Sequence, residues 1–289
     1  MNKGLFTTIH SEQTVTMSDL IIAHARHLGA AGKSPRTIND RSSVMTRLHE
    51  ALPFGLAYAS TEELEDWLQH DPGWSTWTKC TYAMHIRGFY RWANGRYLQG
   101  DPSAEMVRPQ TPSGVPNPVT DNELATALRH SPEPWFTAIA LAAMAGLRVS
   151  EVAGVRREHV SEHRIRIPRA KGGGTASVDT HPMIWALVRS RRAGPLVTRP
   201  DGTPVSGPWL SVKGRAHFDQ IGLPDVHFHR FRHWFGTTLL DGGADLRTVQ
   251  EAMRHRSITS TQGYTLVSGG QRRLAIRSLP TPTEHPEEN

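Results

Sequence analysis

A proline-rich segment limits how this chain can fold more than any other feature. Residues 101–118 read DPSAEMVRPQTPSGVPNP, with five prolines, little apolar content and no helical period. Proline lacks a backbone N–H and fixes φ, so this composition favours an extended linker over a helix or a central strand. We therefore predict a first domain at 1–101, a linker at 102–118, a second domain at 119–280 and a disordered tail at 281–289.

Length and cysteine content narrow the class of protein. The 289 residues exceed the usual size of one domain and give each of two domains enough chain to bury a core. Cys80 is the only cysteine, which excludes an internal disulfide framework, argues against a Cys-based zinc site and indicates a reducing compartment. The first ten residues contain no apolar run of signal-peptide length, and no stretch of about 18 apolar residues occurs. We expect a cytoplasmic protein with no membrane partner.

The net charge of +6 is unevenly distributed. Residues 1–118 hold 11 basic and 11 acidic side chains, whereas residues 119–289 hold 22 basic and 16 acidic ones. Only five of the 33 basic residues are lysines, and the planar fork of arginine suits bidentate contact with phosphate. Two interpretations stay open from charge alone: a surface that binds nucleic acid, and an ordinary solvated surface rich in arginine.

The first domain is predicted to be a small helical bundle. Two helix starts carry recognisable caps, Ser34-Pro35 as cap and first residue, and Ser60-x-x-Glu63 as a capping box. The predicted helices are 17–30, 35–50, 61–70 and 75–94. The expected core residues are Leu20, Ile21, Leu28, Ile38, Val44, Leu48, Leu64, Leu68, Trp77, Met84 and Phe89. The outside keeps the basic residues Arg36, Arg41, Lys79, Arg87 and Arg91, which either face DNA or are simply solvated.

The second domain is predicted to combine helices with one small sheet. The box Thr120-x-x-Glu123 starts a helix, and the apolar run from Trp135 to Ala145 predicts a buried helix that Gly146 ends. Alternation in RIRI at 164–167, followed by a glycine-rich tip, predicts a β-hairpin with one apolar and one basic face. Further helices are expected at 181–192, 207–219, 229–241, 245–254, 257–265 and 268–278. The fold class is thus mainly α with a small antiparallel β-sheet.

Arg148 and Lys171 are the first two candidates for chemistry. Arg148 follows apolar residues in the run AGLRVSE, where a buried helix breaks at a glycine, and a charged group in that position needs a partner or a ligand. Pairing with Glu151 is the structural alternative. Lys171 lies at the glycine-rich tip of the hairpin, where its ammonium group can reach a neighbouring site or remain solvated.

The run HRFRHWF from residue 229 supplies the third candidate group. His229, Arg232 and His233 fall on one helix face, because positions i, i+3 and i+4 are neighbours. A metal site is one interpretation, but the metalloprotease pattern needs a glutamate where Arg230 stands, and Arg232 repels a cation. Histidine beside arginine is better suited to holding an anion.

The fourth signal is the run MRHRSITSTQGY, which contains His255 and ends at Tyr264. Alone, Tyr264 fits an ordinary core or surface tyrosine. Together with the preceding candidates it completes a set for phosphodiester transfer, which requires a nucleophile, donors for the non-bridging oxygens and a proton for the leaving oxygen. A tyrosyl phosphodiester keeps the bond energy for a later rejoining step, so neither a metal nor a nucleotide cofactor is needed.

With these residues assembled, the sequence resembles the tyrosine recombinase family, the integrases and chromosome-dimer resolvases. The resemblance covers residues 15–279 and rests on six matches in order: Arg148, Lys171, His229, Arg232, His255 and Tyr264. It implies a helical core-binding domain followed by a mixed α/β catalytic domain. Because helical pattern begins near residue 17, we expect a simple recombinase without a separate arm-binding domain.

The resemblance also implies roles for these residues. Arg148 and Arg232 would bind the scissile phosphate, with Glu151 orienting Arg148. His229 and His255 would donate hydrogen bonds and transfer protons. Lys171 would protonate the leaving 5′ oxygen, and Tyr264 would form a 3′-phosphotyrosyl link.

Two departures from the family pattern stand beside the matches. Met253-Arg254 replaces the usual Leu-Gly before the second histidine, and Arg-Phe replaces the commoner acid-Leu after His229. Neither removes a catalytic group, although Arg254 adds a cation that can alter phosphate contacts.

The resemblance implies partners as well as chemistry. It implies double-stranded DNA core sites, a monomer free in solution and a homotetramer in the synaptic complex, and leaves open whether accessory proteins bend the DNA or set direction. Two alternatives remain, a type IB topoisomerase-like strand transferase and a non-catalytic DNA-binding regulator on the same fold.

Overall fold

The structure is a computed structural model that describes residues 17–110, 116–168 and 174–254. The chain divides into two compact units, Met1–Ser113 and Gly114–Asn289. No helix in these described ranges is long and apolar enough to cross a membrane.

The first unit contains the four predicted helices. They are α1 (Met17–Ala30), α2 (Pro35–Ala51), α3 (Thr61–His70) and α4 (Thr76–Ala93). Both predicted caps are present, since the Ser34 side chain accepts from the backbone N–H of Thr37 and the box between Ser60 and Glu63 is complete. Buried aliphatic and aromatic side chains from these helices form one core.

Seven of the eleven predicted core residues of this unit are buried, Ile21 and Ile38 are half-buried, and two are exposed. Trp77 is 52% exposed and Met84 is 57% exposed, so both assignments were wrong. The reason is the helical period of α4, which buries Ile86, Phe89 and Ala93. Residues 77 and 84 lie seven positions apart and therefore share the opposite, solvent-facing side of the helix.

The proline-rich segment is held at both ends. Arg87 donates to the carbonyl oxygens of Ala104 at 2.6 Å and Met106 at 2.9 Å, and the Met106 side chain is buried in the first unit. In the second unit Arg230 donates to the carbonyl oxygens of Asn117 and Pro118. Over residues 101–110 and 116–118, which the structure describes, arginine side chains donate to backbone carbonyl oxygens that have no partner in a helix or strand.

The second unit surrounds a buried central helix. Its helices are α5 (Asp121–His130), α6 (Trp135–Met144), α7 (Val149–Gly154), a 3-10 turn (Arg157–His159), α8 (Pro182–Val188), α9 (Gly207–Gln220), α10 (Phe228–Asp241) and α11 (Leu246–Met253). All residues of α6 from Thr137 to Ala143 are buried, as its uniformly apolar sequence predicts.

The predicted hairpin is present as strands β1 (Arg164–Ile167) and β2 (Ala176–Asp179). They pair antiparallel, with Arg164 opposite Asp179 and Ile167 opposite Ala176. Ile165 and Ile167 are buried and the two arginines between and before them are exposed, which gives the apolar and basic faces that the alternation predicts.

Candidate active site

Helix α10 positions the central residues of the candidate site. Phe228 and Phe231 anchor it in the core, each with its ring centroid 5.4 Å from that of Phe218. With these rings fixed, Arg232 enters the interior and is only 1% exposed. A buried guanidinium group needs acceptors, because desolvating an unpaired charge is very costly.

The acceptors of Arg232 are backbone carbonyls at the ends of two other helices. Its Nη1 donates to the carbonyl oxygen of Gly146, after α6, and its Nη2 donates to that of Met253, at the end of α11. Carbonyls at a helix C-terminus have no partner within the helix and carry partial negative charge. Arg232 therefore ties the ends of α6 and α11 to α10.

Gly146 is required where the chain turns out of α6. Its φ is +58°, and a Cβ atom there would lie 2.5 Å from the Phe235 ring. Only glycine adopts this conformation readily and also leaves room for the ring. The turn places Arg148 directly before α7.

Glu151 is a carboxylate at the centre of the site and is 3% exposed. It accepts from the backbone N–H of Arg148 at 2.8 Å, from Nη1 of Arg148 at 3.1 Å and from Nη2 of Arg254 at 2.6 Å. Burial favours a higher pKa for Glu151, but the charge of Arg254, the backbone hydrogen bond of Arg148, and the charges of Arg148 and Arg232 together lower that pKa. The carboxylate is therefore ionised.

Arg148 keeps the most accessible guanidinium group of this cluster. Its side chain is 23% exposed, compared with 11% for Arg254 and 1% for Glu151. Besides Glu151, Nη2 of Arg148 donates to the carbonyl oxygen of Arg254 at 3.2 Å. The pairing with Glu151 that the sequence offered as a structural alternative is present, and it leaves part of the guanidinium fork accessible to an anion.

His229 and His233 share one face of α10, as the i, i+4 spacing predicts. Their ring centroids are 4.3 Å apart in an edge-to-face arrangement. His229 keeps an exposed edge, but dense surrounding protein, followed by the charges of Arg232, His227 and Arg148, lowers its pKa to about 4. At neutral pH the ring is neutral and has one N–H to donate and one nitrogen to accept.

The structure places only part of the predicted catalytic set. Arg148, His229 and Arg232 are brought together: Arg148 pairs with Glu151, and the charges of both arginines act on His229. Lys171, His255 and Tyr264 lie outside the described residues. Within the described ranges, no group of three or more His, Cys, Asp or Glu side chains is arranged to hold a metal ion.

The sequence did not predict that two arginines, Arg230 and Arg254, are buried or half-buried and bind acceptors inside the second unit. Arg230 and Arg254 stand out in the sequence only as departures from a family pattern, yet Arg230 is buried and Arg254 forms the shorter of the two ion pairs with Glu151. Each arginine lies within a motif whose neighbours are apolar or candidate catalytic residues. That position could have indicated a buried charge, which needs a nearby acceptor. Which acceptor it finds depends on residues more than 100 positions away.

The second unit contains a cluster of arginines around a buried carboxylate, an arrangement whose excess positive charge suits an anion such as a phosphate. Comparison with known proteins identifies the family. Residues 205–269 match the model of the phage integrase family. Tyrosine recombinase XerD of Mycobacterium tuberculosis is 32% identical over 213 residues, which cover 63% of this chain and 67% of that protein. The chain therefore belongs to the tyrosine recombinase family.

Two further comparisons bear on length and fold. Tyrosine recombinase XerC of Rhodospirillum centenum is 32% identical over 211 residues, which cover 65% of this chain and 61% of that relative, less than two thirds of its length. A solved lambda integrase dimer bound to a COC′ core site superposes with a TM-score of 0.71 at 16% identity, over 86% of this chain and 77% of that one. The predicted family and the mainly helical fold class are confirmed.

Proposed function

We propose that this chain is a site-specific DNA recombinase that breaks and rejoins DNA through a covalent bond between Tyr264 and a phosphate. The observation that carries the proposal is the pairing of Arg148 with buried Glu151, with the buried charge of Arg232 and a neutral His229 close by. An excess of cationic groups in one place suits a phosphodiester whose negative charge increases during the reaction. Membership of the tyrosine recombinase family supplies the reaction class.

In the proposed reaction the oxygen of Tyr264 attacks the scissile phosphorus, and the bond from phosphorus to the 5′ oxygen breaks. Arg148, whose guanidinium group is accessible, holds the non-bridging oxygens, and the buried charge of Arg232 adds to their stabilisation. Lys171 gives its proton to the departing 5′ oxygen. The proton of the tyrosine hydroxyl passes to a neighbouring acceptor, for which neutral His229 offers a ring nitrogen. The products are a 3′-phosphotyrosyl bond and a free 5′ hydroxyl, and a 5′ hydroxyl from another strand reverses these steps.

Exchange between two duplexes requires cleavage of four strands, so the proposed working assembly is a homotetramer on paired core sites, formed from monomers in the host cytoplasm. The neighbouring lambda structure is a dimer on a core site, which supports recognition of such sites by this fold. The domains at 1–101 and 119–280 would each bind the DNA duplex.

A covalent-capture experiment tests the proposed chemistry and selects the target sequence at the same time. The protein is incubated with duplexes that carry a randomised central sequence and a nick placed so that a cleaved fragment diffuses away. DNA that survives denaturing washes on the protein is sequenced, and the selected site is resynthesised. We expect a protease-sensitive adduct with the wild-type protein and none with Tyr264→Phe.

The same substrates separate the alternatives. An adduct that persists in Tyr264→Phe overturns the nucleophile assignment. Salt-dependent binding with no adduct from the wild type supports a non-catalytic regulator. Relaxation of arbitrary supercoiled plasmid by a monomer, without any selected sequence, supports a topoisomerase-like enzyme instead.

A further inference from the structure

Arg254 occupies a backbone conformation that does not suit arginine. It follows α11 with φ 53° and ψ 46°, and it is the one non-glycine residue with positive φ in the part of the chain that the structure describes. The left-handed region is strongly favoured by glycine, since a Cβ atom crowds the following carbonyl oxygen. The end of α11 is capped by the backbone N–H of residue 254, which donates to the carbonyl oxygens of Gln250 and Glu251. This capping does not depend on the arginine side chain, and glycine would provide it equally.

The side chain of Arg254 is directed into the site. It is 11% exposed, and Nη2 lies 2.6 Å from Oε2 of Glu151, closer than the 3.1 Å between Nη1 of Arg148 and Oε1 of the same carboxylate. Arg254 is also the largest charge acting to lower the pKa of Glu151. The two arginines therefore share one carboxylate, with Arg254 as the stronger partner.

This sharing changes what Arg148 can offer to an anion. A lone Arg148–Glu151 pair would be close to neutral, whereas Arg148, Arg254 and Glu151 together keep a net positive charge. The carbonyl oxygen of Arg254 also accepts from Nη2 of Arg148, so the same residue fixes the orientation of that guanidinium group.

We propose that Arg254 is a positioning residue for the scissile phosphate: it neutralises Glu151 and orients Arg148, so that the accessible edge of Arg148 keeps its charge for the anion. This inference rests on the proposed function only for the identity of that anion. Arg254 acts through Glu151 and Arg148 and needs no contact with the reacting atoms.

Two substitutions test this role against a merely structural one. Arg254→Gly removes the side chain and relieves the unfavourable backbone conformation, so a merely structural role predicts a change in stability, with anion affinity and cleavage rate per folded molecule unchanged. Arg254→Lys keeps the charge near Glu151 but loses the planar fork. Arg247→Ala is the matched control, since it removes an arginine of α11 whose side chain is 80% exposed.

The first measurement uses inorganic sulfate as the anion and needs no DNA. Binding is followed by NMR through the Nε–H signals of arginine in labelled protein, with the Arg148 signal assigned by Arg148→Lys. We expect Arg254→Gly to weaken sulfate binding about tenfold through the lost charge, and Arg254→Lys to restore most of it. Equal sulfate affinity in the wild type and Arg254→Gly overturns the inference.

The second measurement is the single-turnover cleavage rate on the captured site at saturating DNA. We expect Arg254→Gly to slow cleavage up to about 100-fold with little change in DNA affinity, because the carbonyl contact to Arg148 remains but Glu151, without its Arg254 partner, holds Arg148 more strongly and away from the bound phosphate. In a Glu151→Gln background the same substitution should have little further effect, and equal losses in both backgrounds contradict action through Glu151.

The two measurements separate the inference from the proposed function. If the wild type forms no adduct with any DNA but sulfate binding depends on Arg254 as described, the proposed function fails and the inference stands. If the wild type cleaves DNA and Arg254→Gly matches it in both measurements, the proposed function stands and the inference fails.

Discussion

The two units bury groups that can carry charge in opposite ways. In the first unit His24 is 2% exposed and lies among aromatic rings, with centroids 5.3 Å from Phe89 and 4.9 Å from Trp92, and burial followed by nearby cations lowers its pKa to about 4. In the second unit Arg232 is 1% exposed and keeps its charge on two helix-end carbonyls. The buried histidine of the first unit is therefore neutral at pH 7, whereas the core of the second unit contains a charged guanidinium group.

This difference corresponds to a difference in role. A core of aromatic and aliphatic side chains is stabilised by burial alone and gains nothing from a cation, so a histidine there stays neutral. A buried guanidinium group is weak support for stability, because desolvation offsets most of the attraction. We attribute its retention in the second unit to the proposed anion site, whose charge it increases.

The largest effect is expected from Arg232→Lys, which tests whether the charge in the second unit serves chemistry. Lysine keeps the charge but cannot serve the carbonyl oxygens of Gly146 and Met253 with a planar fork. We expect the cleavage rate per folded molecule to fall about 100- to 1000-fold, as for the loss of a preorganised donor. Single-turnover assays on the captured site measure this.

A matched control for that substitution is Arg129→Lys, at an exposed position of α5. It should leave the cleavage rate within about twofold of the wild type, as expected for a surface change. If Arg232→Lys behaves like Arg129→Lys, the buried charge of the second unit is only structural and the contrast between the units is lost.

Arg230→Met tests a buried charge of the second unit that has a structural role. Arg230 is 7% exposed and donates to the carbonyl oxygens of Asn117, Pro118 and Asp225 and to Glu123. Methionine occupies the space but removes the donor to the three carbonyl oxygens and the positive charge beside Glu123, so we expect a loss of about 3 kcal/mol in the free energy of unfolding of the second unit. Denaturant titration measures it.

The cleavage rate per folded molecule should be unchanged in Arg230→Met, which separates this arginine from Arg232. Arg36→Met provides the comparison, because the Arg36–Asp40 pair is exposed and should contribute less than about 0.5 kcal/mol. A large rate loss in Arg230→Met would mean that the ends of the proline-rich segment also position the site.

The first unit is tested by pH. Because the pKa of His24 is about 4 in the folded chain and 6.5 is its ordinary value, the unfolded state binds more protons between these limits. The contribution of neutral His24 to the free energy of unfolding is therefore fully present above pH 6.5. It decreases as the pH drops toward 4, by about 2 kcal/mol between pH 7 and pH 5. Hydrogen exchange of the α1 amides reports this loss.

His24→Phe keeps an aromatic ring between Phe89 and Trp92 and removes the titration. The decline in stability between pH 7 and pH 5 should then become smaller, and the remainder belongs to groups such as His85, whose pKa is also lowered by burial. An unchanged decline in His24→Phe would show that the neutral histidine is not what distinguishes the first core.

Local pattern accounts for most of what the sequence predicted. Alternation in residues 164–167 predicted the buried and exposed faces of β1, and the i, i+3 spacing placed His229 and Arg232 together. Helix α7 was not predicted, because its six residues are too few to display a helical period, and it begins where Glu151 accepts from the backbone of Arg148.

Local sequence patterns could not predict the contacts between residues far apart in the chain. Arg232 finds its acceptors at Gly146 and Met253, and Arg254 finds Glu151, across distances in sequence that no periodicity encodes. The sequence could show that these charges lie among apolar residues and so need partners. Identifying the partners required the tertiary structure.

The smallest effect is expected at the exposed side of α4, where Trp77 and Met84 lie 52% and 57% exposed. If the first unit is held together by its buried rings, then Trp77→Ser and Met84→Gln should each change the free energy of unfolding by less than about 0.5 kcal/mol. Phe89→Ala, at a fully buried position of the same helix, should cost about 3 to 5 kcal/mol. Denaturant titrations of the three variants compare the free energy of unfolding for changes on both faces of one helix. A loss of stability in Trp77→Ser close to that in Phe89→Ala would show that the exposed face of α4 also contributes to the core.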